Sequence, residues 1–257
     1  MLTSSTTGNM TLEICIDSLA SMEAAHIGGA DRIELCAGLA IGGTTPPQAL
    51  LEACLALDGP PIMVMVRPRA GDFLYSPAEI KLMTRSIELV KKLGANGVVF
   101  GVLSRDGQID RDASLRLLEA ARPMEVTFHR AFDVCRDPYE GLDVLVELGV
   151  DHLLTSGQAP DAEKGIPLLH DLVSRSGGRL QIMAGAGVRS LNVGRIIRET
   201  GVSACHASAS RLIESEMTFR HPTVYMGLQE INDYQRKQTD PILVQQLKKE
   251  MLAALAG

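Results

Sequence analysis

The chain has 257 residues, of which 46% are hydrophobic and 22% are charged, and its formal net charge is −6. These values lie near the averages of globular domains and exclude an intrinsically disordered protein. The acidic balance argues against nucleic acid and anionic membranes as partners, and no apolar run reaches the roughly 20 residues of a membrane-spanning helix.

The N-terminal segment indicates a short arm ahead of one domain. From Met1 to Met10 there is neither a basic cluster nor an apolar stretch, unlike a secretory signal. We therefore expect residues 1–11 to form a disordered arm and residues 12–257 to form a single domain. The five cysteines are an odd number, which without a secretion signal indicates reduced thiols in the cytosol.

Eight short apolar runs alternate with helical patterns along the rest of the chain. This alternation is typical of parallel strands joined by crossover helices. The predicted strands are Leu12–Ile16, Arg32–Cys36, Ile62–Val66, Gly97–Val102, Glu125–His129, His152–Thr155, Leu180–Ala184 and Ser203–Ala207. The length and the eight units favour an α/β fold of the (β/α)8 TIM-barrel class, with a C-terminal helical extension.

The alternative with the same elements is an open, doubly wound sheet. The glycine-rich dinucleotide fingerprint of that fold is missing after the first strand, where Asp17 and Ser18 follow. We therefore favour the closed barrel and expect no nucleotide cofactor. Beyond the eighth strand, apolar residues from Pro241 onward recur at helical spacing, which fits either a helix packed on the barrel or a contact between subunits.

The alternation of side chains along each strand predicts a polar barrel interior inside an apolar shell. The inward positions hold Glu13, Cys15, Arg32, Glu34, Cys36, Arg67, Arg69 and His129. Because buried charges need partners, we expect Arg67 and Arg69 to pair with the two glutamates. This pattern fits a structural network of ion pairs as well as a catalytic site.

Several of these residues have candidate roles in catalysis or anion binding. Glu13, Glu34 and His129 are candidate acids and bases, with His206 as a second histidine. The loops after strands six to eight, the first two of which contain glycine, present backbone N–H groups, and such groups often hold phosphate, although ordinary tight turns have the same composition. The predicted anion-binding residues are Arg67, Arg69, Ser156, Gly157, Gly185, Gly187 and Ser208.

Cys15 and Cys36 lie at the same inward phase on neighbouring strands. Two thiolates there could share one soft metal ion such as Cu(I) or zinc, or both could be buried thiols that behave as small apolar residues. The spacing contains no CxxC or HxxxH pattern that would favour a metal.

Taken together, six strings resemble the CutC copper homeostasis protein family. They are LEIC (Leu12–Cys15), GADRIELC (Gly29–Cys36), RPRAGDF (Arg67–Phe73), VTFHRAFD (Val126–Asp133), LTSGQ (Leu154–Gln158) and IMAGAGV (Ile182–Val188). The resemblance implies a TIM barrel, a cytoplasmic location, a role in copper homeostasis, Cu(I) binding through Cys15 and Cys36, and a homo-oligomer. The chain departs from the family at Cys205, where no cysteine is expected.

Three hypotheses for the function remain open. The first is a Cu(I)-binding or copper-handling protein with Cys15 and Cys36 as ligands. The second is a barrel lyase, isomerase or hydrolase that acts on a small anionic, possibly phosphorylated, metabolite through Arg67, Arg69 and His129. The third is a scaffold for a protein partner, because the barrel fold by itself selects no function.

Overall fold

The computed structural model describes residues 10–224, 226 and 232–256. Eight parallel strands close into a barrel in chain order, and β1 pairs with both β2 and β8. The strands are β1 (Thr11–Ile16), β2 (Arg32–Leu35), β3 (Ile62–Met65), β4 (Gly97–Phe100), β5 (Glu125–Phe128), β6 (His152–Thr155), β7 (Gln181–Ala184) and β8 (Ala204–Ala207). All eight predicted strands and the TIM-barrel class are confirmed, with ends that differ by at most two residues.

Helices surround the barrel and bury the apolar face of each strand. They are α1 (Leu19–Gly28), α2 (Gln48–Leu55), α3 (Pro77–Leu93), α4 (Arg111–Ala121), α5 (Pro138–Leu148), α6 (Ile166–Ser176), α7 (Val193–Thr200) and α8 (Pro241–Ala256). Side chains such as Leu12 and Ile14 on β1 are fully buried in this shell. The outward positions of the strands are apolar because the helices cover that face of the parallel sheet.

Local sequence sets where the helices begin and end. Ser76 and Glu79 form a reciprocal capping box at the start of α3, which satisfies two backbone N–H groups that the first turn leaves without partners. At the other end of α3, Gly94 adopts a left-handed conformation with φ of 91° and closes the helix. These turns keep the loops at the amino ends of the strands short, so the longer loops gather at the carboxyl ends.

The segment after β8 forms part of the barrel wall. A two-stranded antiparallel sheet, β9 (Ser210–Glu214) and β10 (Gln235–Thr239), precedes α8. Helix α8 packs between α1 and α7 and buries Val244, Leu247 and Met251. The C-terminal extension is therefore the eighth helix of the barrel, which supports the first of the two interpretations of this segment.

The predicted arm over residues 1–11 lies outside the described residues up to residue 9. Met10 is buried in the core and Thr11 begins β1, so these two positions belong to the barrel. In the part of the chain that the structure describes, no helix has both the length and the apolar character needed to cross a bilayer.

Candidate functional site

A cavity of about 620 Å³ opens at the carboxyl ends of the barrel strands. Its polar lining includes side chains at or just after the carboxyl ends of five different strands, namely Cys15, Glu34, Arg67, His129 and His206. Loop residues after β7 and β8 complete its rim. This is the face on which barrels of this class place their functional residues.

Glu13 forms the charged centre of the barrel interior. Its carboxylate accepts a hydrogen bond from Arg32 Nε at 2.7 Å and lies 2.7 Å from His206 Nδ1. Burial alone would raise the pKa of Glu13, but the Arg32 cation and the His206 ring outweigh burial and lower it well below its usual value. The predicted pairing of this glutamate with Arg67 and Arg69 is wrong, because the strand register places Arg32 directly beside it.

Cys15, Glu34 and His206 form a compact donor set at the base of the cavity. One ligand atom from each lies within 4.8 Å of the other two, and the strand register places Cys15 opposite Glu34. Burial disfavours a charged His206 ring, but interactions with Cys15 and Glu34 outweigh it and raise the pKa of this histidine well above 6.5. The arrangement brings a thiol, a carboxylate and an imidazole together at one point.

Cys36 lies next to this donor set but is not part of it. Its thiol donates a hydrogen bond to Glu34 at 3.4 Å, and the side chain is fully buried. Burial, followed by the negative charge of Glu34, raises the pKa of Cys36 well above 9.0. The structure therefore brings Cys15 together with Glu34 and His206. Cys36, the second cysteine of the prediction, instead donates a hydrogen bond to the Glu34 carboxylate.

Arg67 and Arg69 occupy different environments. The Arg67 side chain lines the cavity and donates to the carbonyls of Ile41, Gly43 and Gly71 at 2.9 Å each. Arg69 turns away from the cavity and is 38% exposed, with its guanidinium paired to acidic groups on and before α3. The prediction that Arg69 points inward is wrong, because β3 ends at Met65 and strand alternation does not continue through the loop.

His129 lies in the cavity wall as a neutral ring. The backbone N–H of Ala131 donates to its Nδ1 at 3.2 Å, which leaves the proton of the neutral ring on Nε2. Burial and the nearby Arg67 cation lower the pKa of His129 to about 3. This environment argues against the predicted role in proton transfer near neutral pH and favours a role as an N–H donor.

Backbone N–H groups of the loop after β6 already bind a carboxylate of the protein itself, that of Asp133. Asp133 accepts hydrogen bonds from the backbone N–H of Ser156 at 3.0 Å and of Gln158 at 3.3 Å, and from the Thr155 hydroxyl. The N–H of Gly157 donates to Thr155 Oγ1 at 2.9 Å. The donors predicted to hold an external anion at Ser156 and Gly157 are therefore already used.

The loops after β7 and β8 supply the remaining predicted residues. Gly187 and Ser208 line the cavity, while the N–H of Gly185 donates to the Thr155 carbonyl at 3.0 Å. Ala186 and Ala209, which also line the cavity, adopt positive φ angles of 74° and 42°. Such conformations are strained for residues with a side chain and are concentrated at functional sites.

Two residues of the site lacked an assigned partner in the sequence analysis. Arg32 has an inward phase, but its pairing with Glu13 depends on the register between β1 and β2. Asp133 follows β5 in the string VTFHRAFD, and only the fold brings it to the loop after β6. The available signal was a carboxylate three residues after Arg130 in that string, and the structure pairs the two side chains at 2.6 Å.

Comparison with known proteins identifies relatives over almost the whole chain. The model of the CutC family matches residues 10–211. A CutC family protein of Parabacteroides distasonis is 50% identical over 231 residues, which cover 89% of this chain and 95% of the relative. The human copper homeostasis protein cutC homolog is 44% identical over 237 residues, which cover 92% of this chain and 87% of that protein.

A solved structure shows the same architecture. The crystal structure described as a copper homeostasis protein CutC from Streptococcus agalactiae is 33% identical and superposes with a TM-score of 0.74, covering 77% of this chain and 98% of the other. The barrel, the six strings in its strands and loops, and these matches agree with one another. The chain belongs to the CutC family.

Proposed function

We propose that this copper homeostasis family member binds Cu(I) at the base of its barrel cavity. The observation that carries the proposal is the convergence of Cys15, Glu34 and His206, whose ligand atoms lie within 4.8 Å of one another. Metal–ligand bonds to sulfur and nitrogen are about 2.0–2.3 Å long, so one ion needs only small side-chain rotations to reach all three. Thiolate and imidazole donors suit copper.

The surroundings of the three donors support this assignment. Glu13 lies 2.7 Å from His206 Nδ1, which holds the ring, so that a metal can bind at Nε2 when it displaces the proton there. Cys15 is partly exposed and lines the cavity, so an incoming ion can reach its thiol. The buried Cys36 thiol, hydrogen-bonded to Glu34, supplies a second sulfur beside the set.

The test is a competition titration of reduced, metal-free protein with Cu(I) against a chelator of known affinity. We expect one Cu(I) per chain, and Cys15→Ala and His206→Ala should weaken binding by at least about 100-fold because a ligand is lost. Cys36→Ala should weaken it less. Cys54→Ala is the matched control, since that buried cysteine lies on α2 away from the cavity.

Two results would contradict the proposal. Cu(I) binding that is unchanged in Cys15→Ala and His206→Ala would place the metal elsewhere. Zn²⁺ binding that is tighter than Cu(I) binding at the same residues would assign a different metal, since zinc also accepts cysteine, histidine and glutamate.

The expectations of a cytoplasmic location and a homo-oligomer form part of the same proposal. All five cysteines are free thiols, as a reducing compartment requires. Exposed apolar side chains after β8, including Leu212, Met217 and Phe219, offer a surface for a second copy. Light scattering of the purified protein tests the second point, and the mass of one chain would contradict it.

A further inference from the structure

The cavity lining carries more positive than negative charge. Arginine and lysine supply four of its residues, namely Arg67, Arg130, Arg189 and Lys237, whereas Glu34 is the one carboxylate in the lining. The whole chain has the opposite balance, with a formal net charge of −6. Arg130 pairs with Asp133, but within the described residues no carboxylate lies within 4 Å of the other three cations. Cu(I) binding does not account for these cations, because a metal ion repels them.

Arg67 is the deepest of these cations. The residue is 6% exposed, and its Nη nitrogens donate to backbone carbonyls, which carry no net charge. Its Nε atom is buried and makes no hydrogen bond of normal geometry to the described residues, and the nearby Tyr75 hydroxyl is a neutral group that does not balance the charge. A buried cation that lacks a counter-ion is costly, so its presence in a cavity wall indicates that an anion neutralises it there.

A second donor beside Arg67 also lacks a partner. His129 is 4% exposed and lines the same cavity, and its Nε2 is buried with no acceptor in the described part of the chain. Phe73 connects the two residues, because its ring centroid lies 5.1 Å from Arg67 Cζ and 5.0 Å from the His129 ring centroid. One ligand can therefore contact a positive charge, an N–H donor and an aromatic ring together.

We propose that the barrel cavity binds a small organic anion, with its carboxylate or phosphate group against Arg67 and an oxygen atom that accepts from His129 Nε2. The volume of about 620 Å³ suits an organic molecule and is far larger than one metal ion requires. Lys237 and Arg189 at the rim attract the same charge. This site uses side chains other than those of the cysteine set and does not depend on copper.

Calorimetric titration of the full, reduced, metal-free chain tests this site. The probes are glycerol 3-phosphate, L-malate and inorganic phosphate, which separate an organic phosphate from a carboxylate and both from a simple ion. We expect one organic probe to bind saturably with one site per chain, about 10-fold or more tightly than inorganic phosphate. The probe that binds identifies the anionic group.

The variants localise the binding. Arg67→Gln and His129→Asn should each weaken binding by about 10-fold or more, because each removes a hydrogen bond to a charged group. An asparagine at position 129 can still accept from the Ala131 N–H that His129 now accepts. Arg69→Gln is the matched control, since it removes the same charge two residues away but outside the cavity.

One further control and three negative outcomes complete the test of the anion site. Cys54→Ala, a buried cysteine on α2 outside the cavity, should leave binding of the organic probe unchanged. Because the titration uses metal-free protein, its result does not depend on the copper proposal. If no probe binds saturably, if only inorganic phosphate binds and the variants do not alter it, or if Arg69→Gln weakens binding as much as Arg67→Gln, the proposal is overturned. If Arg67→Gln does not fold, His129→Asn decides.

Discussion

Glu13 illustrates how this barrel treats a charge in its interior. The residue is fully buried and is satisfied by Arg32 and His206. Buried ion pairs recover little more than the desolvation they cost, so this group is weak evidence for stability. Its clearer effect is to orient the His206 ring. Glu13 holds the ring through Nδ1, so that Nε2 faces Glu34 at 3.8 Å.

His129 should make the protein less stable in mild acid. Its folded pKa of about 3 lies below the ordinary 6.5, so the unfolded chain takes up a proton first as the pH falls. The contribution of the neutral His129 ring to stability is fully present above pH 6.5. It is lost as the pH falls from 6.5 towards the folded pKa of about 3. Between pH 7 and pH 5 we expect a loss of about 2 kcal/mol in the free energy of unfolding from this one group.

Urea unfolding at pH 7, 6 and 5 measures this effect. His129→Asn removes the titrating ring and should make the pH dependence shallower by the amount given. His170→Asn is the control, because that side chain is exposed and its Nδ1 lies 3.2 Å from the neutral Glu199 carbonyl oxygen. Equal slopes in the wild type and His129→Asn would show that His129 is not held neutral.

The sequence predicted the faces of these residues better than their partners. Alternation with a period of two correctly placed Glu13, Glu34 and His129 inside, because each lies within or directly after a strand. Arg69 follows Pro68 in a loop, where that periodicity no longer applies. The pairing of Glu13 with Arg32 depends on register, which alternation does not specify.

At the scale of elements, the loop after β6 packs tightly against the start of α6. A Cβ atom on Gly165 would lie 1.7 Å from the Ser156 carbonyl oxygen, and one on Gly157 would lie 2.5 Å from the Gly165 oxygen. Both neighbours are backbone atoms that cannot rotate away. The close packing of this loop therefore requires glycine at both positions, and Asp133 holds the same loop through hydrogen bonds to the Ser156 and Gln158 N–H groups.

Gly165→Ala should destabilise the protein by about 3 kcal/mol or more, since the backbone must move to remove the overlap. Gly29→Ala is the matched control. Gly29 has a positive φ of 83° but nothing within 4 Å of its added Cβ, so we expect a cost of about 1 kcal/mol from backbone strain. Denaturant midpoints measure both, and a smaller effect at Gly165 than at Gly29 would contradict the steric argument.

Helix and strand positions could be predicted because each has local causes. The capping box at Ser76 and the glycine at Gly94 mark the two ends of α3 within the sequence itself. The pairing of β9 with β10 could not be predicted in the same way. Those strands are polar and lie more than twenty residues apart, so neither alternation nor a short turn identifies them.

At the scale of the whole molecule, α8 completes the ring of helices between the two ends of the chain. A Cβ atom on Gly28 would lie 2.5 Å from Val244 Cβ, which shows how closely α1 and α8 approach each other. Because this contact joins the first helix to the last, the barrel wall depends on residues more than two hundred positions apart.

Val244→Asp should therefore prevent folding or cost more than about 4 kcal/mol, since it places an unpaired charge in a fully buried position. Leu252→Asp is the control on the same helix, at a position that is 52% exposed, and should change stability by less than about 1 kcal/mol. Circular dichroism and thermal melting compare the two, and similar melting temperatures would contradict this account of α8.

At the scale of the whole molecule, the closed barrel could be predicted by counting eight strand–helix units. The set of residues that lines the cavity could not be predicted in this way. Its cations come from the loops after β3, β5 and β7 and from β10, and no local pattern indicates that these positions meet. Their spacing in the sequence carries no period. Only barrel closure assembles them around one volume, which is why the sequence indicated arginines without showing which of them share a ligand.

Because the five cysteines are unequally buried, the alkylation of their thiols can measure whether the barrel is closed or open. Cys15 is partly exposed at the cavity, whereas Cys36, Cys54, Cys135 and Cys205 are buried. An alkylating reagent applied to native protein should therefore attach a single label, and the other four thiols should react only as the barrel opens. The number of labels per chain, read from the mass, thus shows which molecules have opened. A ligand in the cavity should slow the labelling of Cys15 and so reveal that the cavity is filled.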